Sequence, residues 1–517
     1  MEKLLYILIF LPIVLGVFIY LVNSVKLYRW IYLAEAVVMV ITLQLLGAVN
    51  KGIALYEVIG GWEPFIGIGL KFDTLNATFI ILSTFLFTVI LIFIYKSKDH
   101  DFKFLFFVLL LQGTFNGFVL SDDIFNIFVM LELITIISTI LIIYKKDAHS
   151  LKAGIYYLLF NTVGMMIYLI GVIILYLRFG TLNLSLMADL VRETGMDDTL
   201  RIGVVLMVSA FGVKSAVFPV YDWLPKAHSA AITSISALLS GLLVKTGIIG
   251  LMKLTAVFVV FDFSWIFYVL GIFTALMGVI FAFSQKDIKQ ILSFHTVSQI
   301  GLIMIAFSIN IELALLYLVS HSLIKSLLFL GSGIVINQYQ ERRVDKIRGL
   351  WENDSLLSVF LIIGTFALAG IPFTSGFIAK SAMGMSLPLW QLIPLVIVNS
   401  LTAGSMFKIL QILGSHQPVR VNVKTSKYIA MGFLSIAIFF LGTLFPDYQS
   451  MTRDLWYYFK PMNLVKTSFE VLLGIAWFLA FGIHEKGLMK RMRHFSLSFD
   501  NGVVLLMFFV LTLVVFI

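Results

Sequence analysis

The stretch Leu200-Arg201-Ile202-Gly203-Val204-Val205-Leu206-Met207-Val208-Ser209-Ala210-Phe211-Gly212-Val213-Lys214-Ser215-Ala216-Val217-Phe218-Pro219-Val220 decides what kind of chain this is. It is long enough to cross the hydrocarbon core of a bilayer as a helix, which takes about 20 predominantly apolar residues. Beyond Arg201 its one charge is Lys214, about half-way along and too far from either surface for its side chain to reach. A charge at that depth costs at least about 2.5 kcal/mol and calls for a reason. The rest of the chain has the same character. Of 517 residues, 60% are apolar and 13% charged, about half the charge density of a soluble domain. With a mean hydropathy of +1.02, a soluble globular protein is excluded. The expectation is an integral membrane protein with no separate soluble catalytic domain. There is no cysteine, so the chain alone forms no disulfide, thiolate zinc site, iron–sulfur cluster or haem attachment. Any redox chemistry belongs to a partner, and no cofactor is expected. The net charge of +9 is spread along membrane loops, where topology explains it; no nucleic-acid partner is read from it.

Sixteen apolar runs are long enough to span, from Leu4–Val22, read as a spanning helix rather than a cleaved signal, to Val503–Ile517. They include the fifth (Ile124–Ile143), seventh (Leu200–Val220), eighth (Ile232–Met252), tenth (Ile291–Ser308), eleventh (Leu313–Ile336), twelfth (Leu356–Lys380), thirteenth (Leu392–Ile412), fourteenth (Tyr428–Phe445) and fifteenth (Phe469–Ile483). The fold class is therefore an all-α polytopic membrane protein of about 14–16 transmembrane helices. The odd-numbered loops hold 22 Lys and Arg against 10 in the even loops and termini, which places odd loops in the cytoplasm and both termini outside. Lys51 to Asn76, with Gly60, Gly61, Trp62 and Pro64, reads as a turn-rich extracytoplasmic cover, and Arg178 to Arg201 as a partly helical surface segment.

Five lysines lie inside apolar runs: Lys214, Lys245, Lys325, Lys380 and Lys408. Snorkelling from a helix end is the plain alternative, and it weakens for Lys214 and Lys245, placed mid-run. Glu132, in Phe125-Asn126-Ile127-Phe128-Val129-Met130-Leu131-Glu132-Leu133, reads as the one carboxylate well inside a run. Burial disfavours an isolated carboxylate and an isolated ammonium alike, whereas together each stabilises the other's ion, so an acid–lysine pair is a proton switch controlled by distance. A static salt bridge demands the same residues.

Pro219 follows Lys214 in the seventh run, and Gly370-Ile371-Pro372 precedes Lys380 in the twelfth, so both helices are expected to break beside a lysine. Broken backbone at membrane depth is tolerated where it lines a hydrated cavity or is buried in protein. Helices 4 to 8 and 9 to 13 form two sets of five in which Lys214 corresponds to Lys380 and Lys245 to Lys408. A shift of five crossings inverts the second set, an arrangement recurrent in transporters. The chain then divides into N-terminal helices and loop (1–100), a first five-helix repeat (101–260), a second, inverted repeat (261–415) and C-terminal helices (416–517). On helix 11, His321 and Lys325 share a face at i, i+4, and helix 10 adds His295. Each histidine has a bland reading as a packed, hydrogen-bonded residue. Neither has a carboxylate or second histidine at ligand spacing, so no metal site is expected.

At this point the residues resemble a family. Asp122-Asp123-Ile124-Phe125-Asn126-Ile127-Phe128-Val129 leading to Glu132 resembles the helix-5 signature of the antiporter-like subunits shared by complex I, Mrp cation/proton antiporters and membrane-bound hydrogenases. Lys214 through Pro219, Trp223-Leu224-Pro225-Lys226-Ala227-His228 and Ser236-Ala237-Leu238-Leu239-Ser240-Gly241 resemble its helix 7–8 signature, and Gly370-Ile371-Pro372 with Ser375-Gly376-Phe377 and Lys380 its helix-12 break. The Asp-Asp variant and Gly60-Gly61-Trp62 lean towards the Mrp D-type and hydrogenase branch. The resemblance implies a bundle of fourteen core helices, Glu132 and Lys214 as the coupling pair, Lys245 as central relay, His321 and Lys325 as the middle of a hydrophilic axis, and Lys380 as the terminal lysine. Two departures stand out. Ala230-Ala231-Ile232-Thr233 occupies the start of helix 8, where the family usually has proline, and the C-terminus offers no long amphipathic helix, which counts against the largest complex I subunit type.

The functional expectation is a proton-translocating subunit of a larger ion-pumping complex in the plasma membrane, its partners being other membrane subunits and lipid. Protons would pass along a lateral hydrated row of Glu132, Lys214, Lys245, His321, Lys325 and Lys380, with His295 and Lys408 as further members and sodium as a candidate exchanged ion. Two other readings stay open: a self-sufficient cation/proton antiporter, and a membrane enzyme acting on lipid-linked substrates, which would place acidic or metal-binding motifs near the headgroups instead.

Overall fold

The computed structural model describes residues 1–24, 27–95, 100–415, 418–419, 422–443, 458–482 and 487–516. Among these, 13 helices are long and apolar enough to cross a membrane, with two shorter apolar helices besides. The chain is a multi-pass, all-α membrane protein. The expected run ends at Phe445, Ile483 and Ile517 lie outside the described residues.

The chain opens with α1 (Leu4–Val22) and α2 (Tyr28–Val49). The turn-rich cover then forms a small antiparallel hairpin, β1 (Leu55–Val58) with β2 (Gly69–Phe72), pairing Leu55 with Phe72 and Val58 with Gly69. Gly60 and Gly61 turn it at φ +78° and +70°, backbone open to glycine at no steric cost. Next come α3 (Thr74–Phe93), α4 (Phe102–Leu120), α5 (Ile124–Ile142), α6 (Ala148–Phe179), α7 (Leu184–Thr194), α8 (Asp198–Lys214), α9 (Trp223–Ala230), α10 (Thr233–Leu238) and α11 (Lys245–Val257). α7 is the expected surface helix, burying Leu184, Met187, Ala188 and Val191 at i, i+3, i+4 and i+7. A π turn over Leu239–Leu243 joins α10 to α11. The second half holds α12 (Ser264–Ser284), α13 (Ile288–Ile309), α14 (Ile311–Tyr339), α15 (Leu350–Asn353), α16 (Ser355–Ala369), α17 (Ser375–Ser386) and α18 (Leu389–Leu410). The C-terminal part adds α19 (Thr425–Thr443), α20 (Pro461–Trp477), α21 (Gly487–Arg493) and α22 (Phe499–Phe516). Helix starts are written locally: the side chains of Asp73, Asp101, Asp123, Asp147, Asp197, Asp287 and Asp354 each accept a backbone N–H of the first turn they precede.

Both expected breaks are present. α8 stops at Lys214 and no helix resumes until Trp223, with Ala216 in the left-handed region (φ +54°) and Pro219 inside the gap. Lys214 therefore ends its helix instead of lying mid-helix. α16 stops at Ala369 and α17 starts at Ser375, with Gly370 at φ +86° and Pro372 between them. Proline alone does not decide this, since Pro12 and Pro394 lie inside continuous helices.

The chain forms two compact units. The first comprises Met1–Ser215, Thr246–Asp262 and Val503–Ile517, the second Ala216–Lys245 and Phe263–Gly502. In the first, α6 meets α8 where a Cβ on Gly171 would lie 2.8 Å from the Gly203 carbonyl. In the second, α12 and α13 approach through glycine: a Cβ on Gly271 would stand 2.7 Å from the Gly301 carbonyl, and one on Gly278 2.5 Å from the Ser298 nitrogen. Such seams let backbones close up where apolar lipid supplies no hydrophobic drive. Outside the membrane, the Arg343 and Lys286 side chains beside Asp345 hold its carboxyl well below the usual carboxylate range.

Gly301→Val forces α12 and α13 apart and is expected to destabilise the folded chain by about 1–3 kcal/mol, read as a lowered thermal midpoint in detergent. Asp345→Asn is expected to cost about 1 kcal/mol or less at neutral pH. Because the folded-state pKa of Asp345 is depressed, the difference from wild type should fade as pH falls below about 4, where the unfolded carboxyl already binds its proton.

Candidate functional site

In the first unit the site is built on α5 and α8. Lys214 is only 4% exposed. Its ammonium donates to the Thr135 hydroxyl and, at 3.5 Å, to the Leu131 carbonyl. Thr135 sends its own hydroxyl proton to Leu131 O at 2.7 Å, which leaves its lone pairs for the lysine. Glu132 accepts from the Thr162 hydroxyl on α6 at 3.1 Å, and its Oε1 is buried without a hydrogen-bond partner. Glu132 and Lys214 are close enough to feel each other's charge. Each is nevertheless held by neutral groups, so the static salt bridge is not what the structure contains.

In the second unit, Lys245 heads α11 and donates to the Ser240 carbonyl within the π turn, an irregularity frequent at functional sites. The Ser240 hydroxyl bonds Thr296 of α13 at 2.8 Å. Lys325 on α14 donates to Leu292 O and stands 5.2 Å over the Phe329 ring. His321, one turn before Lys325, has neither ring nitrogen hydrogen-bonded, and His228, stacked on Phe329 at 4.5 Å, is in the same state. His295 meets the Ser405 hydroxyl at 2.6 Å through Nε2. Lys245 and Lys325 act electrostatically on each other and on His228 and His321. With basic groups facing basic groups, a proton on one raises the cost of a proton on the next.

Further along, Lys380 turns back to cap the end of α16, donating to Leu368 O at 2.8 Å and Ala369 O at 3.3 Å. Lys408 caps the end of α12 through Phe283 O at 3.0 Å and Gln285 O at 2.5 Å. The last carbonyls of a helix have no partner in the helix itself, so a broken or finished helix offers a buried ammonium its acceptors. Ala231 leaves α9 in an extended conformation (φ −60°, ψ 150°), and its carbonyl accepts from Lys289 at 2.7 Å.

The structure thus brings Glu132 and Lys214 together in one unit, and Lys245, His321, Lys325, His295, Lys380 and Lys408 within the other. Four buried ionisable groups, Glu35, Glu470, Lys289 and His228, and the half-buried Lys253 are not marked by the apolar runs. Glu132 is not the only carboxylate inside a span: Glu35, on α2, and Glu470, on α20, are each 4% exposed. Glu35 accepts from Gln112 at 2.9 Å. It already falls in the second apolar run, whereas Glu470 sits at the edge of the fifteenth because hydropathy starts that run at Phe469. Pro461, at the first position of α20, is the start signal that places Glu470 mid-helix. Lys289 and Lys253 lie just beyond expected run ends that the helices overrun. Lys253 donates to Ser121 O at 2.9 Å and acts electrostatically on the neighbouring Asp122. His228 closes the Trp223-Leu224-Pro225-Lys226-Ala227-His228 motif and has no periodic signal of its own.

These features define a class: polytopic membrane proteins whose interrupted helices carry buried lysines. Residues 121–406 match the transmembrane family described as NADH:quinone oxidoreductase/Mrp antiporter. The chain is 30% identical over 397 residues to the D-type component of the Na(+)/H(+) antiporter of Alkalihalophilus pseudofirmus, covering 74% of this chain and 80% of that one. It is 28% identical over 462 residues to the putative antiporter subunit mnhD2 of Staphylococcus aureus, covering 85% and 92%. Its fold resembles a chain of the Mrp complex from Dietzia sp. DQ12-45-1b, with a TM-score of 0.77, 22% identity and 95% and 99% coverage. It equally resembles a chain of the membrane-bound sulfane sulfur reductase, an archaeal respiratory membrane complex, at TM-score 0.78, 22% identity and 92% and 99% coverage. The chain belongs to the NADH:quinone oxidoreductase/Mrp antiporter membrane family.

Thr135→Val removes the hydroxyl acceptor of Lys214 at nearly constant volume. It is expected to slow proton uptake by vesicles that hold the assembled complex and to shift its pH profile while leaving the helices in place, checked by measuring that uptake at several pH values.

Proposed function

We propose that this chain is a proton-translocating subunit of a multi-subunit cation/proton antiporter or related respiratory complex, seated in the plasma membrane beside other membrane subunits. Glu132, Lys214, Lys245, His321, Lys325 and Lys380 pass the proton from group to group, with His295 and Lys408 beside them. The observation that carries the reading is the way Lys214 is held. It rests on a hydroxyl and a carbonyl, within reach of Glu132 but not locked to it. Neutral acceptors leave the lysine's protonation to be set by the neighbouring charge, whereas a tight buried ion pair would fix both ions. In the second unit the mutual repulsion of Lys245, Lys325 and the histidines does the same work: one group must release its proton for the next to take one. The name of the Alkalihalophilus relative supports exchange of sodium against protons by the assembled complex. The respiratory complex among the structural neighbours supports a redox-driven version of the same part.

In membrane vesicles containing the assembled complex, Lys214→Ala and Glu132→Ala are each expected to lower coupled transport at least about a hundredfold while the complex still purifies intact. Transport at the wild-type rate in Lys214→Ala would refute the assignment. The chain expressed by itself is expected to show no pH-driven exchange; exchange by the lone chain would instead establish a self-sufficient antiporter.

A further inference from the structure

Glu470 lies on α20, C-terminal to the stretch that matches the family. Of the described residues of α20 only Asn463, Glu470 and Gly474 are buried, while Met462, Val465, Phe469 and Leu472 are between 57% and 77% exposed. A lipid-facing helix has therefore turned its one carboxylate onto a narrow protein-facing stripe. Glycine makes the approach close: a Cβ on Gly474 would lie 2.7 Å from the Ser400 carbonyl and 2.9 Å from the Gly404 nitrogen of α18. At that crossing Asn399 donates to Glu470 Oε1 at 3.2 Å, and Asn399 Oδ1 is buried without a partner. One turn before Glu470, the Lys466 ammonium lies against Gly384 of α17, which is one turn after Lys380. The Lys466 side chain of α20 thus reaches α17 one turn from Lys380. Glu470 acts electrostatically on Lys380, Lys466 and Tyr317. Tyr317 is one turn before His321 on α14 and donates to Gln299 at 2.9 Å, so the stripe Lys325, His321, Tyr317 runs towards the same carboxylate.

We infer that Glu470 is a proton-exchanging partner of Lys380, the acid of a second acid–lysine pair that corresponds to Glu132 and Lys214. The inference rests on the proton-translocation reading and deepens it. The Lys380 ammonium gives its proton to the Glu470 carboxylate: an N–H bond breaks, an O–H bond forms, and a cation and an anion become a neutral amine and a neutral acid. The pair's net charge is zero before and after the transfer, and afterwards neither member carries a charge in the low-dielectric interior. Lys380 is anchored on the Leu368 and Ala369 carbonyls rather than on Glu470, which leaves the pair free to change state. Asn399 positions the carboxylate, and Lys466 is the neighbouring charge that acts on it.

The test is coupled transport per assembled complex in vesicles, comparing wild type, Glu470→Gln, Glu470→Asp and, alongside them, Lys214→Ala. Glu470→Gln keeps the side-chain shape and an acceptor for Asn399. It is expected to lower transport at least about tenfold, with Glu470→Asp restoring a substantial part. With Lys214→Ala inactive, wild-type transport in Glu470→Gln overturns this inference and leaves the broader reading standing. Wild-type transport in Lys214→Ala overturns the broader reading, and this inference with it. Loss of the assembled complex in both Glu470 variants would make the carboxylate a packing anchor for α20 and also overturn it.

Discussion

A buried ammonium group has to find acceptors where there is no water to supply them, and the rest of this structure is arranged around that need. A regular helix spends nearly all its carbonyls on its own hydrogen bonds, so free acceptors collect where the helix stops, breaks or widens, and Lys214 and Lys325 have to share a carbonyl inside α5 and α13. Lys380 uses the carbonyls left at the end of α16, Lys408 those at the end of α12, and Lys245 one in the π turn. The broken backbone and the buried lysines are therefore two sides of one constraint. The breaks give the lysines partners, and the lysines satisfy carbonyls that would otherwise be unpaired in a medium where each costs several kcal/mol.

Holding a lysine on neutral carbonyls and hydroxyls has a chemical consequence. The group is solvated well enough to stay buried, but no single counter-ion fixes its charge. Its protonation then answers to what its neighbours carry. Two different neighbourhoods occur: an acid beside a lysine at Glu132 and Lys214, and lysines and histidines facing one another around Lys245 and Lys325. The first responds to separation, the second to occupancy, and a proton carrier can use either. The unpartnered ring nitrogens of His228 and His321 belong to the second kind of neighbourhood.

Much of this is readable in the residue order. Lys214-Ser215-Ala216-Val217-Phe218-Pro219 and Gly370-Ile371-Pro372 announce their breaks because proline and glycine act on the backbone within one turn. Aspartate caps announce helix starts for the same local reason. The residues that stay hidden have two causes. Lys289, Lys253 and Glu470 fall at run boundaries, because hydropathy blurs where a helix begins or ends, while the Asp287 cap and Pro461 mark two of the starts. His228 stays hidden because a short helix between two breaks has too few turns to show a period.

The sequence by itself determined that the chain lives in a bilayer, about how many times it crosses, which crossings are interrupted and which carry lysines, since each of these follows from run length, composition and the stereochemistry of single residues. Only the tertiary structure decided that Thr135 and Thr162 hold Lys214 and Glu132 apart from a direct bond, that Lys408 ends on α12, and that a glycine seam turns Glu470 inwards. Those outcomes depend on which helices cross and how closely, and residues far apart in the chain meet only once the bundle has packed.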